Sequence, residues 1–139
     1  MELTPLCSLA LRYDGPFHLA RPYGGESGLG WGSGDGTVTA ARLAGRMLWS
    51  NHPTRRGDGA MLPSVRGVIT TETDAEVFVE LSGRTVFDDA GGRQLVFATF
   101  ESEDPAYAWL NSVICVGEGR IDPGTLQARI EISACQPET

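Results

Sequence analysis

Apolar and polar residues alternate along most of this chain. From Leu6 to Tyr13, Cys7, Leu9, Leu11 and Tyr13 occupy every second position, the two-residue period of a strand with one buried face. The same period runs from Arg66 to Glu72 and from Ala75 to Leu81, where Val77, Val79 and Leu81 stand opposite Glu76, Phe78 and Glu80. Gln94 to Glu101 is a β-prone segment carrying Phe97 and Phe100. The cleanest alternation is the last, with Leu126, Ala128, Ile130, Ile132 and Ala134 on one face and Gln127, Arg129, Glu131 and Ser133 on the other. Gly36 to Ser50 reads as one bent strand or two consecutive ones, with Val38, Leu43, Met47 and Leu48 as core candidates.

The connections carry turn chemistry. Asp14-Gly15-Pro16, Thr73-Asp74, Asp88-Asp89 and Asp122-Pro123-Gly124 end strands, and the stretch from Gly83 to Gly92 reads as a connection. Seven glycines between Tyr23 and Gly36 predict a loop folded tightly against a barrel mouth, with Glu26 and Trp31 as its distinctive side chains. Their spacing fits no dinucleotide fingerprint. Asp104-Pro105 opens a short helix over Pro105 to Leu110, because aspartate caps well and a proline at the first helical position loses no needed N–H. A β-branched strand follows it.

These elements predict an all-β fold, a single antiparallel β-barrel of about eight to ten strands with one short helix, since closure removes exposed sheet edges. The expected domain spans residues 1–135, with 136–139 as a frayed tail. The 18 Gly and 8 Pro favour short strands joined by turns over long helices.

Composition narrows the chemistry. All eleven basic residues are arginine, so no lysine is present to form a Schiff base or to grip a phosphate in a Walker-type loop. A formal charge of −7 with no basic block argues against nucleic acid and against an anionic membrane surface. Met1 to Leu6 has no basic region followed by an apolar core, and no window reaches membrane-span length, so a cytoplasmic location is expected. Cys7, Cys115 and Cys135 are odd in number and lie in apolar or alternating segments, which predicts reduced, buried thiols. With only His18 and His52 and no paired ligand spacing, neither a metal nor a cofactor is expected.

Several residues nevertheless suit a small-molecule pocket. Trp31, Trp49, Phe97, Tyr107 and Trp109 offer apolar walls, with Glu80 as a charged residue at either surface or pocket. Arg66 and Asn111 are candidates to polarise a carbonyl and steady an oxyanion, and His52 is a candidate to take a proton near neutral pH. No nucleophile elbow appears.

The order of features is similar to that of a known family, the domain of unknown function 3237. The resemblance rests on Pro5-Leu6, Gly36-Thr37-Val38, Gly45, Asp58-Gly59, Arg66, and above all Tyr107-Ala108-Trp109-Leu110-Asn111 followed by Val116-Gly117. It implies a β-barrel with a central pocket. In some fungal relatives it implies cofactor-free ring closure, in which a hydroxyl adds across a double bond. This chain departs from the family pattern where Trp49, Asn51 and His52 replace an Asp-Trp pair, where Thr73-Asp74 replaces Asp-Gly, and at Ser64. Three readings stay open: a cyclase, isomerase or lyase acting on a polyketide-like or aromatic metabolite, a non-catalytic carrier of an apolar ligand, and a scaffold with a filled barrel. Small barrels commonly form homo-oligomers, so a second copy is also a candidate partner.

Overall fold

In the computed structural model, which describes residues 1–137, each predicted alternation becomes a strand with one face out of water. Strand β1 (Glu2–Tyr13) buries Cys7, Leu9 and Leu11. A short β2 (His18–Ala20) follows, then β3 (Gly28–Thr39) and β4 (Gly45–Asn51). Two-residue strands β5 (Thr54–Arg55) and β6 (Met61–Leu62) precede β7 (Ser64–Thr71), β8 (Glu76–Asp88) and β9 (Gly91–Glu101). After a single 3-10 turn over Ala108–Ser112 come β10 (Ile114–Ile121) and β11 (Gln127–Gln136).

All pairings are antiparallel. Strand β1 bonds β11 along one edge and β3 along the other, while β7 bridges β4 and β8. The eight long strands therefore close in the order β1-β3-β4-β7-β8-β9-β10-β11. Closure leaves these strands without a free edge. The short β5 and β6 continue β4 and β7 past Pro53 and Pro63, both buried, whose missing N–H groups interrupt the ladder there.

Five local readings are corrected. From Gly28 on, the glycine-rich segment is strand, with its glycines at 28, 30, 32, 34 and 36 on the inward side of β3. The stretch from Gly83 to Asp88 extends β8: a Cβ at Gly83 would lie 2.0 Å from the Leu95 carbonyl oxygen, so glycine here admits the neighbouring strand. The expected helix from Pro105 is a turn followed by 3-10 geometry. The Asp104 carboxylate accepts from the Ala106 N–H at 2.9 Å within the turn, but the 3-10 segment starts after Tyr107 with no side-chain cap, and Tyr107, Leu110 and Val113 each donate to the carbonyl three residues back. Leu48 points to solvent, whereas Val38, Leu43 and Met47 are buried. Gln136, expected in a frayed tail, still belongs to β11; 138–139 lie outside the described residues.

The barrel has two unlike ends. Leu9, Met47, Ile69, Val77, Phe100 and Ile132, none more than 2% exposed, fill its middle. One end is closed by Leu43 and by Leu110 of the 3-10 turn. At the other end β1 stops at Tyr13 and the β5–β6 hairpin forms part of the rim.

Replacing Leu110 with alanine should lower stability by about 2–5 kcal/mol, read as a lower urea midpoint at unchanged slope. Burial pushes the Cys7 thiol up to about 12 and the Cys115 thiol up to about 11, from 9.0. Both should resist a thiol reagent at mildly alkaline pH until the protein unfolds, while partly exposed Cys135 reacts. The unfolded chain releases these protons first, so stability should fall as pH rises from about 9 towards 12.

Candidate functional site

Glycine-rich β3 sets the interior of the open end. In the ladder Gly34 lies between Tyr13 of β1 and Trp49 of β4. A Cβ at Gly34 would stand 2.6 Å from the Trp49 ring, and one at Gly32 would stand 2.5 Å from the Tyr13 ring. Without those side chains the two rings meet edge to face, centroids 4.7 Å apart. Phe17 adds a second edge contact to Tyr13 at 5.7 Å. The Trp49 indole N–H donates to the Asp35 carbonyl at 2.9 Å, which fixes the ring.

Polar groups ring the space beneath. The Ser64 N–H, just after Pro63, donates to Asn51 Oδ1 at 3.0 Å. A backbone N–H can only donate, so the Asn51 amide must turn its NH₂ to the Tyr13 hydroxyl, at 2.9 Å. The phenol oxygen is thus an acceptor, and its own proton stays available. Burial raises the Tyr13 pKa, the Asn51 hydrogen bond opposing it, so the phenol stays neutral at physiological pH. On β9 the Gln94 amide donates to Thr85 Oγ1 at 3.2 Å. Among the described residues its buried Oε1 has no hydrogen-bond partner, and turning the amide over would leave its NH₂ unpaired instead.

These groups line a cavity of two lobes, of about 40 Å³ and about 90 Å³. Tyr13, Asn51, Pro63, Gln94, Ile121 and Leu126 line both lobes. Leu126 is held with φ of 56°, a left-handed conformation that costs a branched residue roughly 1–2 kcal/mol. A 2.7 Å hydrogen bond from its N–H to the Asp122 carbonyl holds the turn.

Of the residues singled out by sequence, Trp49 alone lines this cavity. His52 is exposed at the rim, its backbone N–H bonded to Ser64. Arg66 and Glu80 pair at 2.9 Å on the outer wall, their side chains 77% and 59% exposed, because their register puts Val65, Val79 and Leu81 inward. Asn111 lies at the closed end, where its amide accepts from the Ser102 N–H at 2.8 Å and donates to the Ser102 carbonyl at 3.0 Å. Trp109 and Tyr107 are half-buried there, with the Arg42 guanidinium 3.7 Å from the Trp109 ring centroid. Trp31 faces outward beside His18, and Phe97 lies on the outer face of β9. His52, Arg66 and Asn111 are therefore not brought together.

Sequence reasoning passed over Tyr13, Gln94 and Thr85, although a signal was present. In four of the inward rows a polar residue stands towards this end: Tyr13 after Cys7, Leu9 and Leu11; Asn51 after Met47 and Trp49; Thr85 beyond Val79 and Leu81; Gln94 before Val96 and Ala98. Four polar residues gathered on the buried side of neighbouring strands at one end mark a lined cavity there, whereas buried Thr71 and Ser102 at the other end are bonded to nearby backbone.

Fold and site define a closed antiparallel barrel with one packed end and one small, partly polar cavity. The chain belongs to the family described as "Protein of unknown function (DUF3237)", whose model matches residues 1–136. Its backbone is similar to a β-barrel-like protein from Acinetobacter baumannii, with a TM-score of 0.86 and 16% identity over 97% of this chain and 96% of that one. A protein of unknown function from Clostridium acetobutylicum gives a TM-score of 0.85 and 19% identity over 98% and 100%. An enzyme from Penicillium herquei gives 0.71 and 19% over 94% and 93%. None of the curated proteins matches the sequence. Among the described residues no helix is long and apolar enough to cross a membrane, and no three His, Cys, Asp or Glu side chains gather as a metal site would require.

Replacing Asn51 with alanine strands the Ser64 N–H and should cost about 1–3 kcal/mol. It should also move Tyr13 ionisation further up, since the lost donor favoured the phenolate; an alkaline titration of tyrosinate absorbance reads the shift.

Proposed function

We propose that the protein binds a small molecule with an apolar body and a hydroxyl group in the cavity at the open end of the barrel. One observation carries the reading: the buried, unpartnered oxygen of Gln94 lines the same lobes as the neutral Tyr13 hydroxyl. A guest hydroxyl satisfies both, donating to Gln94 Oε1 and accepting from Tyr13, while Trp49, Val65 and Leu81 receive the apolar part. At about 40 and 90 Å³ the separate lobes are smaller than the roughly 150 Å³ that accommodates benzene in an apolar cavity. A ring-sized guest therefore has to displace a shared wall, and Leu126, on a surface turn and already strained, is the wall that moves at least cost.

A catalytic use of the same groups is a second reading, favoured by the similarity to an enzyme from Penicillium herquei. If the guest also carries a double bond, its hydroxyl oxygen adds to one carbon of that bond. The other carbon gains the proton of the Tyr13 hydroxyl while the guest oxygen gives its own proton to the Tyr13 oxygen, which ends the step neutral, with Gln94 Oε1 serving only to hold the guest hydroxyl. The product is an isomer of the guest, so atoms and electrons balance within this chain's own groups.

Binding of phenol and naphthol, followed by Trp49 fluorescence and ligand-observed NMR, tests the site. Tyr13→Phe and Gln94→Leu should each weaken binding roughly three- to tenfold, the value of one neutral hydrogen bond. Unchanged affinity in both variants would remove the hydroxyl-anchoring role.

A further inference from the structure

The outer wall carries a feature that the cavity does not use. Leu95 and Phe97 of β9, Ile114 of β10 and Leu3 of β1 are large, apolar and 55–64% exposed. They are contiguous. Phe97 stands opposite Val116 in the β9–β10 ladder, Leu95 lies two residues along the same face, and Ile114 two residues from Val116. Leu3, Leu95, Phe97 and Val116 line one open groove of about 530 Å³. The inward residues of β9, Val96, Ala98 and Phe100, already fill the core, so folding leaves this row in water. Exposed apolar area here is on the order of 500 Å², at the upper end of what a monomer shows.

Charge identifies what covers the patch. In the ladders Arg84 of β8 and Glu118 of β10 are the two neighbours of Leu95, so a single row reads cation, apolar, anion. The Arg84 guanidinium donates to the Gly83 carbonyl at 2.9 Å, and among the described residues neither Arg84 nor Glu118 forms an ion pair. The adjacent row, Ser82, Phe97 and Val116, is uncharged. A row with opposite charges on its two sides is its own complement when turned over about its centre. Glu131 of β11 continues the row past Glu118 and lines the same groove, but Arg129 and Ser8 engage it, which leaves Arg84 and Glu118 as the charges that a turned-over copy would match.

We propose that two copies of this chain associate through the outer face of β9 and β10, about a twofold axis running along β9. In that arrangement Phe97 and Leu95 meet their counterparts, and Arg84 of each copy meets the partner's Glu118, so two ion pairs flank an apolar centre. Sheets packed face to face keep their strands within about 30° of each other, which such an axis satisfies. A standard interface buries about 800 Å² per partner; the apolar patch supplies the centre, and Arg84, Glu118, Ser82 and Ser133 supply the polar rim. The contact is isologous and closes at two copies.

Sedimentation velocity of the wild-type chain over a micromolar to millimolar range should show a species of twice the 14.9 kDa chain mass. Phe97→Glu should weaken association at least a hundredfold while leaving the melting curve of the barrel within a few degrees, because the side chain lies outside the core. Arg84→Glu should weaken association about tenfold, and Arg84→Glu combined with Glu118→Arg should restore it. The proposal is overturned by a wild-type monomer at millimolar concentration, by a dimer indifferent to Phe97→Glu, or by a double charge swap no better than the single one.

Discussion

A barrel closes only if its first strand can be bonded along both edges, and here that condition turns on the ladder between β1 and β3. Where Tyr13 and Trp49 flank β3, the residue between them is Gly34, and an added Cβ would also stand 1.9 Å from the Arg12 carbonyl oxygen. Glycine admits the backbone of β1 and the two rings at once. With it, β1 reaches β3 on one side and β11 on the other, and the eight-stranded circuit is complete. The same absence of side chains on the inner face of β3 brings Tyr13, Phe17 and Trp49 to the open end, so closure and cavity share one cause.

Along its axis the barrel runs from dry to polar. At the closed end Leu43 and Leu110 seal aliphatic packing, with Asn111 stitching the 3-10 turn to Ser102. At the open end each polar side chain in the wall has a defined partner, Ser64 for Asn51, Asn51 for Tyr13 and Thr85 for Gln94, until the series stops at Gln94 Oε1. Interiors rarely leave such an atom unpaired, because its desolvation costs about 1–3 kcal/mol. The proposed guest hydroxyl would supply the missing partner.

Much of the fold was legible because burial follows period. The inward rows of β1, β7, β8 and β11 could be written down from alternation, and the family was recognisable from Tyr107 to Asn111. Strand β3 was legible only from Gly36 on, since its inward side before that is glycine and shows no apolar signal, and Gly83 broke the reading of β8 for the same reason. The site was less legible. Aromatic and charged residues drew attention to the closed end, where Trp109 and Asn111 lie, and to the outer wall, where Arg66 and Phe97 lie. Which face of a strand turns inward decides between pocket and exterior, and a polar residue that ends an inward row looks ordinary until several strands are aligned.

The two prolines at the rim bear on how the wall can yield. The β5–β6 hairpin joins the rest of the barrel through Pro53 and Pro63, and laterally through the Gly28–Arg55 and Leu29–Thr54 pairs on one side and the Met61–Thr85 pair on the other. Long neighbouring strands are held by many such pairs. The hairpin is therefore held by fewer pairs than any of the eight long strands, so its local opening costs less than unfolding of the barrel. If a guest binds as proposed, its entry would depend on local yielding at the rim, in this panel or at Leu126, and not on how firmly the barrel as a whole resists unfolding.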